Sequence, residues 1–242
     1  MTEPAPPGGG LPGPDDPILV RAQASNGRLV VDFVLAHGAD PVRELARLGW
    51  SRPHLRDADR DEAGGLVLTY TVTAASAVAT AANPVPTDPG LVLEPGEEAR
   101  PYQRTAAYGV VTSSRGVLLT ELSALTSAPG RWTLPGGGLD PGEPPVAALH
   151  REVWEESGQD VERVRLLEAQ TSHWIGRAPS GRLEDFHAVR IVYAAWCPQP
   201  TDPVVHDVGG STEAVRWVRR GELDQYHLSR SFAPHMRRWL AS

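Results

Sequence analysis

The sequence predicts a mixed α/β fold of the α+β kind, and three observations carry that reading. From Thr105 onward, apolar and β-branched residues recur in short segments between turn residues, the pattern of successive strands. Residues 144–157 read as one helix, with Val146, Leu149 and Val153 as its apolar stripe. Residues 18–82 read as strand, helix, strand, a small β-α-β element of their own.

Taken in order, residues 1–17 hold too much Pro and Gly to build a core and are expected to form a disordered tail. Residues 28–36 (RLVVDFVLA) are a strand by their β-branched content. Asp40-Pro41 opens a helix over residues 41–48, and Gly49 ends it. Residues 52–62 read as a charged connection. Within it Asp57, Asp59, Asp61 and Glu62 lack the Gly and the distal Glu of a calcium loop, so they read as solvated. Residues 65–74 alternate through Leu66, Leu68, Tyr70 and Val72 as a second strand, and residues 75–82 fit strand or helix equally. So small an element has little core of its own. It is expected to lean on the rest of the chain or on a second copy, which would make a homodimer.

Residues 83–101 carry Pro84, Pro86, Pro89, Pro95 and Pro101 and read as a linker, in which residues 91–93 could add an edge strand. Residues 102–242 then form the second domain. Residues 105–112 and 116–121 make a hairpin, and residues 130–134 and 136–139 lead into the helix. Residues 161–172 and 185–196 are strands joined by a turn at 177–184. A polar loop at 201–210, a short strand at 214–219 and a helical turn at 222–226 follow. A helix over 231–240 closes the chain, with Phe232, Met236, Trp239 and Leu240 inward.

Composition narrows the partners. The net charge is −7 and the sequence pI about 5.6, so nothing suggests a nucleic-acid backbone binder, and all 23 basic residues are arginine. The single Cys197 follows an apolar run and reads as a buried, inert thiol in a reducing compartment. No segment has the continuous apolar length of a membrane span, and the start of the chain lacks the pattern of a secretory signal. A cytoplasmic location is the expectation.

The chemistry concentrates in residues 137–158, GGLDPGEPPVAALHREVWEESG. Pro144 and Pro145 suit a first helical turn, whose N–H groups have no partners anyway. Asp140 and Glu143 put negative charge near the positive end of the helix dipole. Gly158 stands where a left-handed C-cap is wanted. On the helix, Glu152, Glu155 and Glu156 fall at i, i+3 and i+4, which is one face. Like charges so placed repel, and a hard, oxygen-seeking cation such as Mg²⁺ would relieve them. A Glu-Glu pair alone usually marks a solvated face. The Gly-Gly turn, Glu143 and Arg151 at fixed spacings favour a site.

This stretch closely resembles the Nudix box, G-x5-E-x7-R-E-U-x-E-E-x-G-U, where U is bulky and apolar. Every fixed position agrees except the last, where Gln159 stands. With its flanking strands the resemblance covers residues 104–230. It implies a Nudix-type α/β/α sandwich, a mixed central sheet between helices with the box as loop–helix–loop. It also implies hydrolysis of a nucleoside diphosphate linked to another moiety: a (d)NTP, an oxidised nucleotide or a nucleotide sugar. The cofactor it implies is Mg²⁺ or Mn²⁺. Glu152, Glu155 and Glu156 match the family's metal ligands, and any one of them could take the proton of the attacking water. Glu143 and Arg151 match a pair that braces the loop, together with Gly137 and Gly158.

Outside the box the candidates are individual residues. Glu213 stands where the family often places a further acidic metal ligand, against its reading as a surface Glu. Arg104, Arg115 and Arg131 are candidates for the distal phosphate, against plain surface charge. Trp174, with His173, Phe186 and His187, is a candidate for stacking on a base, against core packing. His173 has no second His at i+4 to suggest a metal. Subclass markers of the family, a proline or tyrosine at a set distance past the box, are absent near Trp174 and Ile175. The competing reading is a non-catalytic nucleotide sensor with an N-terminal interaction element. Retention of all the box glutamates, and no helix-turn-helix pattern in residues 18–82, argue against it.

Overall fold

In the computed structural model, which describes residues 17–75, 85–178 and 180–241, period-two alternation builds two sheets. In the first, β1 (Ile18–Gln23) buries Ile18, Val20 and Ala22 and leaves the residues between them half exposed. It pairs antiparallel with β2 (Leu29–Val34) and parallel with β4 (Leu66–Ala74). Strand β3 (Trp50–Arg60) completes the order β2-β1-β4-β3. Helix α1 (Pro41–Arg47) lies between β2 and β3 in the chain. The Asp40 carboxylate caps it, accepting the Arg43 N–H at 2.9 Å.

Two of these strands depart from the sequence expectation, so the element is β-β-α-β-β rather than β-α-β. Residues 52–62 are largely strand, not a charged connection. Register shifts at Ser51/His54 and Leu55/Asp57 break the period of two, and Leu55 and Ala58 are the buried positions. Asp57 and Asp59 are solvated on this strand, while Asp61 accepts the N–H groups of Ala63 and Gly65 and shapes the turn into β4. Strand β1 is short and follows directly on the Pro-rich start, where composition outweighs a brief alternation. Of residues 75–82, all but Ala75 lie outside the described residues, as does most of the tail at 1–17.

The second sheet has the order β11-β6-β5-β10-β9, with β7 on β6 and β8 on β5. Its strands are β5 (Arg100–Ser113), β6 (Gly116–Leu122), β7 (Trp132–Thr133), β8 (Gly136–Gly138), β9 (Glu162–Arg177), β10 (Leu183–Trp196) and β11 (Thr212–Val218). Strands β5 and β10 are parallel and the other pairs antiparallel, so the sheet is mixed. Alternation sends Val110, Leu119 and Val192 to one face, against Phe232, Met236 and Trp239. It sends Val111, Leu118, Ile191 and Tyr193 to the other, against Ala148, Leu149 and Val153 of α2 (Pro145–Ser157). The mixed sheet therefore lies between helical layers, as expected. Ile18, Val20, Leu66, Leu68 and Tyr70 of the first sheet cluster with Leu149 and Val153, so the N-terminal strands share a core with α2.

Smaller departures have local causes. The closing helix α3 is confined to Met236–Ala241, because Pro234 offers no N–H and restricts Ala233 before it. Residues 91–93 form no strand, Val92 and Leu93 are exposed, and Thr87 bridges Ile175 instead. Strand β9 runs to Arg177, which narrows the turn before β10. A 3-10 turn, Arg220–Gln225, stands at the expected helical turn. Cys197 is buried, and burial raises its thiol pKa. Among the described residues no helix is long and apolar enough to cross a membrane.

Candidate active site

Helix α2 presents the acidic face because its ends are fixed. Pro144 is an extended N-cap with Pro145 in the first turn. Gly158 adopts φ +65 and returns its N–H to the Trp154 carbonyl at 2.7 Å. The buried stripe is Pro145, Ala148, Leu149 and Val153. Val146, assigned to that stripe from sequence, is 38% exposed, and Ala148 takes its place. With the stripe on the sheet, Glu152, Glu155 and Glu156 face the turn that enters the helix.

Arg151 is the hub of that turn. Its Nε and Nη2 donate to the two Glu143 oxygens at 2.9 and 2.8 Å, a bidentate pair. Nη1 donates to Glu152 Oε1 at 2.9 Å and Glu155 Oε2 at 3.1 Å, and Nη2 also reaches the Gly138 carbonyl at 2.9 Å. One guanidinium thus holds three carboxylates and the β8 backbone. The Arg151 hydrogen bonds hold the Glu143 pKa below its ordinary value. Glu152 moves the other way: burial raises its pKa, Arg151 opposes the rise and Glu155 adds to it.

Glu156 is the most enclosed of the three, at 5% exposure. Its Oε2 accepts the Gly136 N–H at 2.9 Å and its Oε1 accepts the Thr212 hydroxyl. Burial pushes its pKa up to about 8, although both of those donors favour the charged form. The glycines of β8 are there for space. A Cβ on Gly136, at φ +141, would stand 2.2 Å from the Ala107 carbonyl oxygen, and one on Gly137 would stand 2.5 Å from Glu152 Oε1.

Gln159, the departure from the box, is buried and fully engaged. Its amide donates to the Ser157 carbonyl at 3.1 Å and the Thr201 hydroxyl at 2.8 Å, and its oxygen accepts the Thr201 N–H at 3.0 Å. It fastens the loop after β10 to the end of α2.

The other sequence candidates scatter. Glu213 is exposed on β11, and its neighbour Thr212 is the residue that reaches Glu156. Arg115 pairs with Asp202 at 2.7 Å on the surface, and Arg131 is exposed at the entry to β7. Arg104 lies against the site: its guanidinium sits 3.1 Å from the Cβ position of Gly138, and its charge is felt at Glu152. Trp174 packs on Phe186 at 4.5 Å between ring centroids, and Phe186 on Tyr102 at 5.5 Å. His173 and His187 point to the opposite face of the sheet from these rings, as strand alternation requires.

Sequence reading missed Arg190, Tyr102 and Thr212. Arg190 interrupts the apolar run 188–196 of β10. Burial lowers its pKa, and the nearby Arg104 charge does too. Its Nη1 donates to Ser172 Oγ at 2.7 Å, and the Tyr108 hydroxyl is a second partner. A half-buried cation beside a second one can hold an anion.

Comparison with known proteins gives the family. The family model described as NUDIX domain matches residues 102–241. The chain is similar to an RNA pyrophosphohydrolase of Cereibacter sphaeroides, 35% identical over 83 residues, which are 34% of this chain and 48% of that protein. It is also similar to the nucleoside triphosphatase NudI of Klebsiella pneumoniae, 27% identical over 52% of this chain and 89% of that protein. The chain spans about half the length of the first curated relatives it matches. Among solved structures, a MutT NUDIX hydrolase from Burkholderia pseudomallei aligns with a TM-score of 0.45 and 27% identity, over 56% of this chain and 97% of that one.

Proposed function

The chain belongs to the Nudix superfamily, and from that premise we propose that it is a divalent-metal-dependent pyrophosphohydrolase of nucleotides. The observation that carries the reading is the convergence of Glu152, Glu155 and Glu156 on the Arg151–Gly136 turn. The RNA pyrophosphohydrolase and nucleoside triphosphatase similarities support the same class of substrate.

Mg²⁺ or Mn²⁺ fits this donor set. All the side-chain donors are carboxylate oxygens, and the buried Glu156, with its raised pKa, is a charge that a cation would stabilise. Glu152, Glu155 and Glu156 would hold the metal. When bound there, the ion would supply charge neutralisation at the phosphate oxygens. The chain does the rest. Gly136, Gly137 and Gly138 let the backbone approach the pyrophosphate, and Arg151 keeps the carboxylates in place. Arg104 and Arg190 take a phosphate of the substrate, while Tyr102, Phe186 and Trp174 receive its base or sugar. A carboxylate of the α2 set accepts the proton of the water that attacks phosphorus.

The test is the purified protein with Mg²⁺ against dNTPs, oxidised dGTP, ADP-ribose, NADH and nucleotide sugars, reading phosphate and pyrophosphate release. Turnover of one class above the others is expected. Tight nucleotide binding with no metal-dependent turnover of any of them would make the protein a sensor instead.

A further inference from the structure

On the face of the sheet opposite Tyr102, Phe186 and Trp174, three side chains distant in sequence converge. His37 follows β2, His173 lies on β9 and Asp185 on β10. One ligand atom of each lies within 4.8 Å of the other two. His37 Nε2 stands 3.4 Å from Asp185 Oδ1, and His173 Nε2 is hydrogen-bonded to the same oxygen. All three side chains are part-buried, at 27%, 20% and 26% exposure for His37, His173 and Asp185. Gly38, at φ +74, presses the loop onto His173: a Cβ there would stand 2.3 Å from the ring. A third imidazole, His187, closes the floor, with its ring centroid 5.5 Å from that of His37 and 6.1 Å from that of His173. Its Nδ1 pairs with Gln103 Oε1 at 2.8 Å. Its Nε2 is buried with no partner in hydrogen-bond geometry, the Ala39 backbone being its near neighbour.

We propose that His37, His173 and Asp185 form a second metal site, for Zn²⁺ or a similar borderline cation, that clamps the N-terminal sheet to strands β9 and β10. Two imidazoles and one carboxylate are the ligands such an ion prefers, whereas the all-oxygen set on α2 suits Mg²⁺. The spacing agrees. Two ligands about 2.1 Å from one ion at a tetrahedral angle stand about 3.4 Å apart, which is the His37–Asp185 separation. A cavity of about 410 Å³ opens on His37 and His173, with Phe33, Val34, Glu44 and Arg47 on its other walls. It leaves a coordination position for water or an anionic ligand. Ion entry replaces the His173–Asp185 hydrogen bond and that of His37 Nε2 to the Asp185 carbonyl, each neutral imidazole carrying its proton on Nδ1 while Nε2 takes the ion. The site joins residues 148 positions apart, so binding energy there is also energy for docking the two sheets.

The experiment is equilibrium dialysis of the full chain against Zn²⁺ in excess Mg²⁺, which keeps the carboxylate site occupied. One Zn²⁺ per chain is expected, with a rise in melting temperature. His37→Ala and Asp185→Asn should each weaken binding at least tenfold and abolish that rise. Should either variant fail to fold by circular dichroism, Co²⁺ added to the wild type gives an independent reading. A visible absorption band of a nitrogen- and oxygen-ligated ion, removed by His173→Gln, supports the site. No Zn²⁺ bound against Mg²⁺, no Co²⁺ band, or folded variants that bind as the wild type does would overturn the proposal and leave a hydrogen-bonded cluster.

Discussion

Arg60, the last residue of β3, donates from Nε to the main-chain carbonyl of Glu143 at 3.1 Å. Its Nη1 holds the Gly64 carbonyl at 2.7 Å, so the turn between β3 and β4 and the loop that starts α2 are tied to one side chain. The N-terminal sheet therefore touches the loop before α2 directly, in addition to sharing the apolar core beneath that helix. Arg60→Ala is predicted to cost about 1–2 kcal/mol, the worth of a charge-assisted bond in a part-buried place, and to lower kcat several-fold. Chemical denaturation and steady-state kinetics check this. Unchanged values for both would show that the contact carries nothing.

Arg151 is predicted to be a brace and not a reactant. Arg151→Ala leaves the Glu143, Glu152 and Glu155 carboxylates without their shared cation and should cost about 2–3 kcal/mol. Arg151→Lys restores the charge but not the fork that grips both Glu143 oxygens, so it should recover only part of the stability. A variant inactive yet as stable as the wild type would place Arg151 in the chemistry.

Glu156 sets a pH dependence. Its carboxyl has a pKa of about 8 in the folded chain against 4.5 ordinarily. Between those values the folded state binds more protons than the unfolded state, so stability falls as pH rises through that window. Melting temperature in EDTA should decline from about pH 6.5, above the range in which the neutral His187 adds stability, to about pH 8 and then level. Glu156→Gln should flatten the decline, and Mg²⁺ should offset it most at the alkaline end. A wild-type curve rising over the same range would contradict the assignment.

Gln159→Leu restores the apolar residue that the box calls for, and it is nevertheless predicted to destabilise. Leucine would leave the Thr201 N–H and hydroxyl and the Ser157 carbonyl without the amide that satisfies them. The cost should be about 1–2 kcal/mol by chemical denaturation. A gain in stability would mean that the loop after β10 finds other partners.

What could be read from sequence was local. The acidic face of α2, its glycine C-cap and the Glu143–Arg151 spacing all lie within one short stretch, so helical geometry alone brings those groups together. The apolar, β-branched segments at 105–112 and 185–196 likewise marked strands, while the covering of both sheet faces was implied only by the resemblance of the box. Strand β3 escaped because its register shifts destroy the period on which such a reading depends. Arg190 escaped because a half-buried cation within an apolar run has no pattern of its own. His173 looked isolated because its partner His37 comes from a different sheet, and no spacing rule reaches across that separation.

The central claim is metal-dependent hydrolysis at the α2 carboxylates. The direct measurement is a Mg²⁺ titration of nucleotide turnover by the wild type and by Glu155→Gln, with Tm followed in parallel. Glu155 is held by Arg151 and is less enclosed than Glu156, so its amide should fold. The account predicts no wild-type turnover in EDTA, saturable recovery with Mg²⁺, and a loss in Glu155→Gln of at least a hundredfold in kcat with little change in Tm. Turnover that persists in EDTA, or a folded Glu155→Gln that works at the wild-type rate, would contradict it.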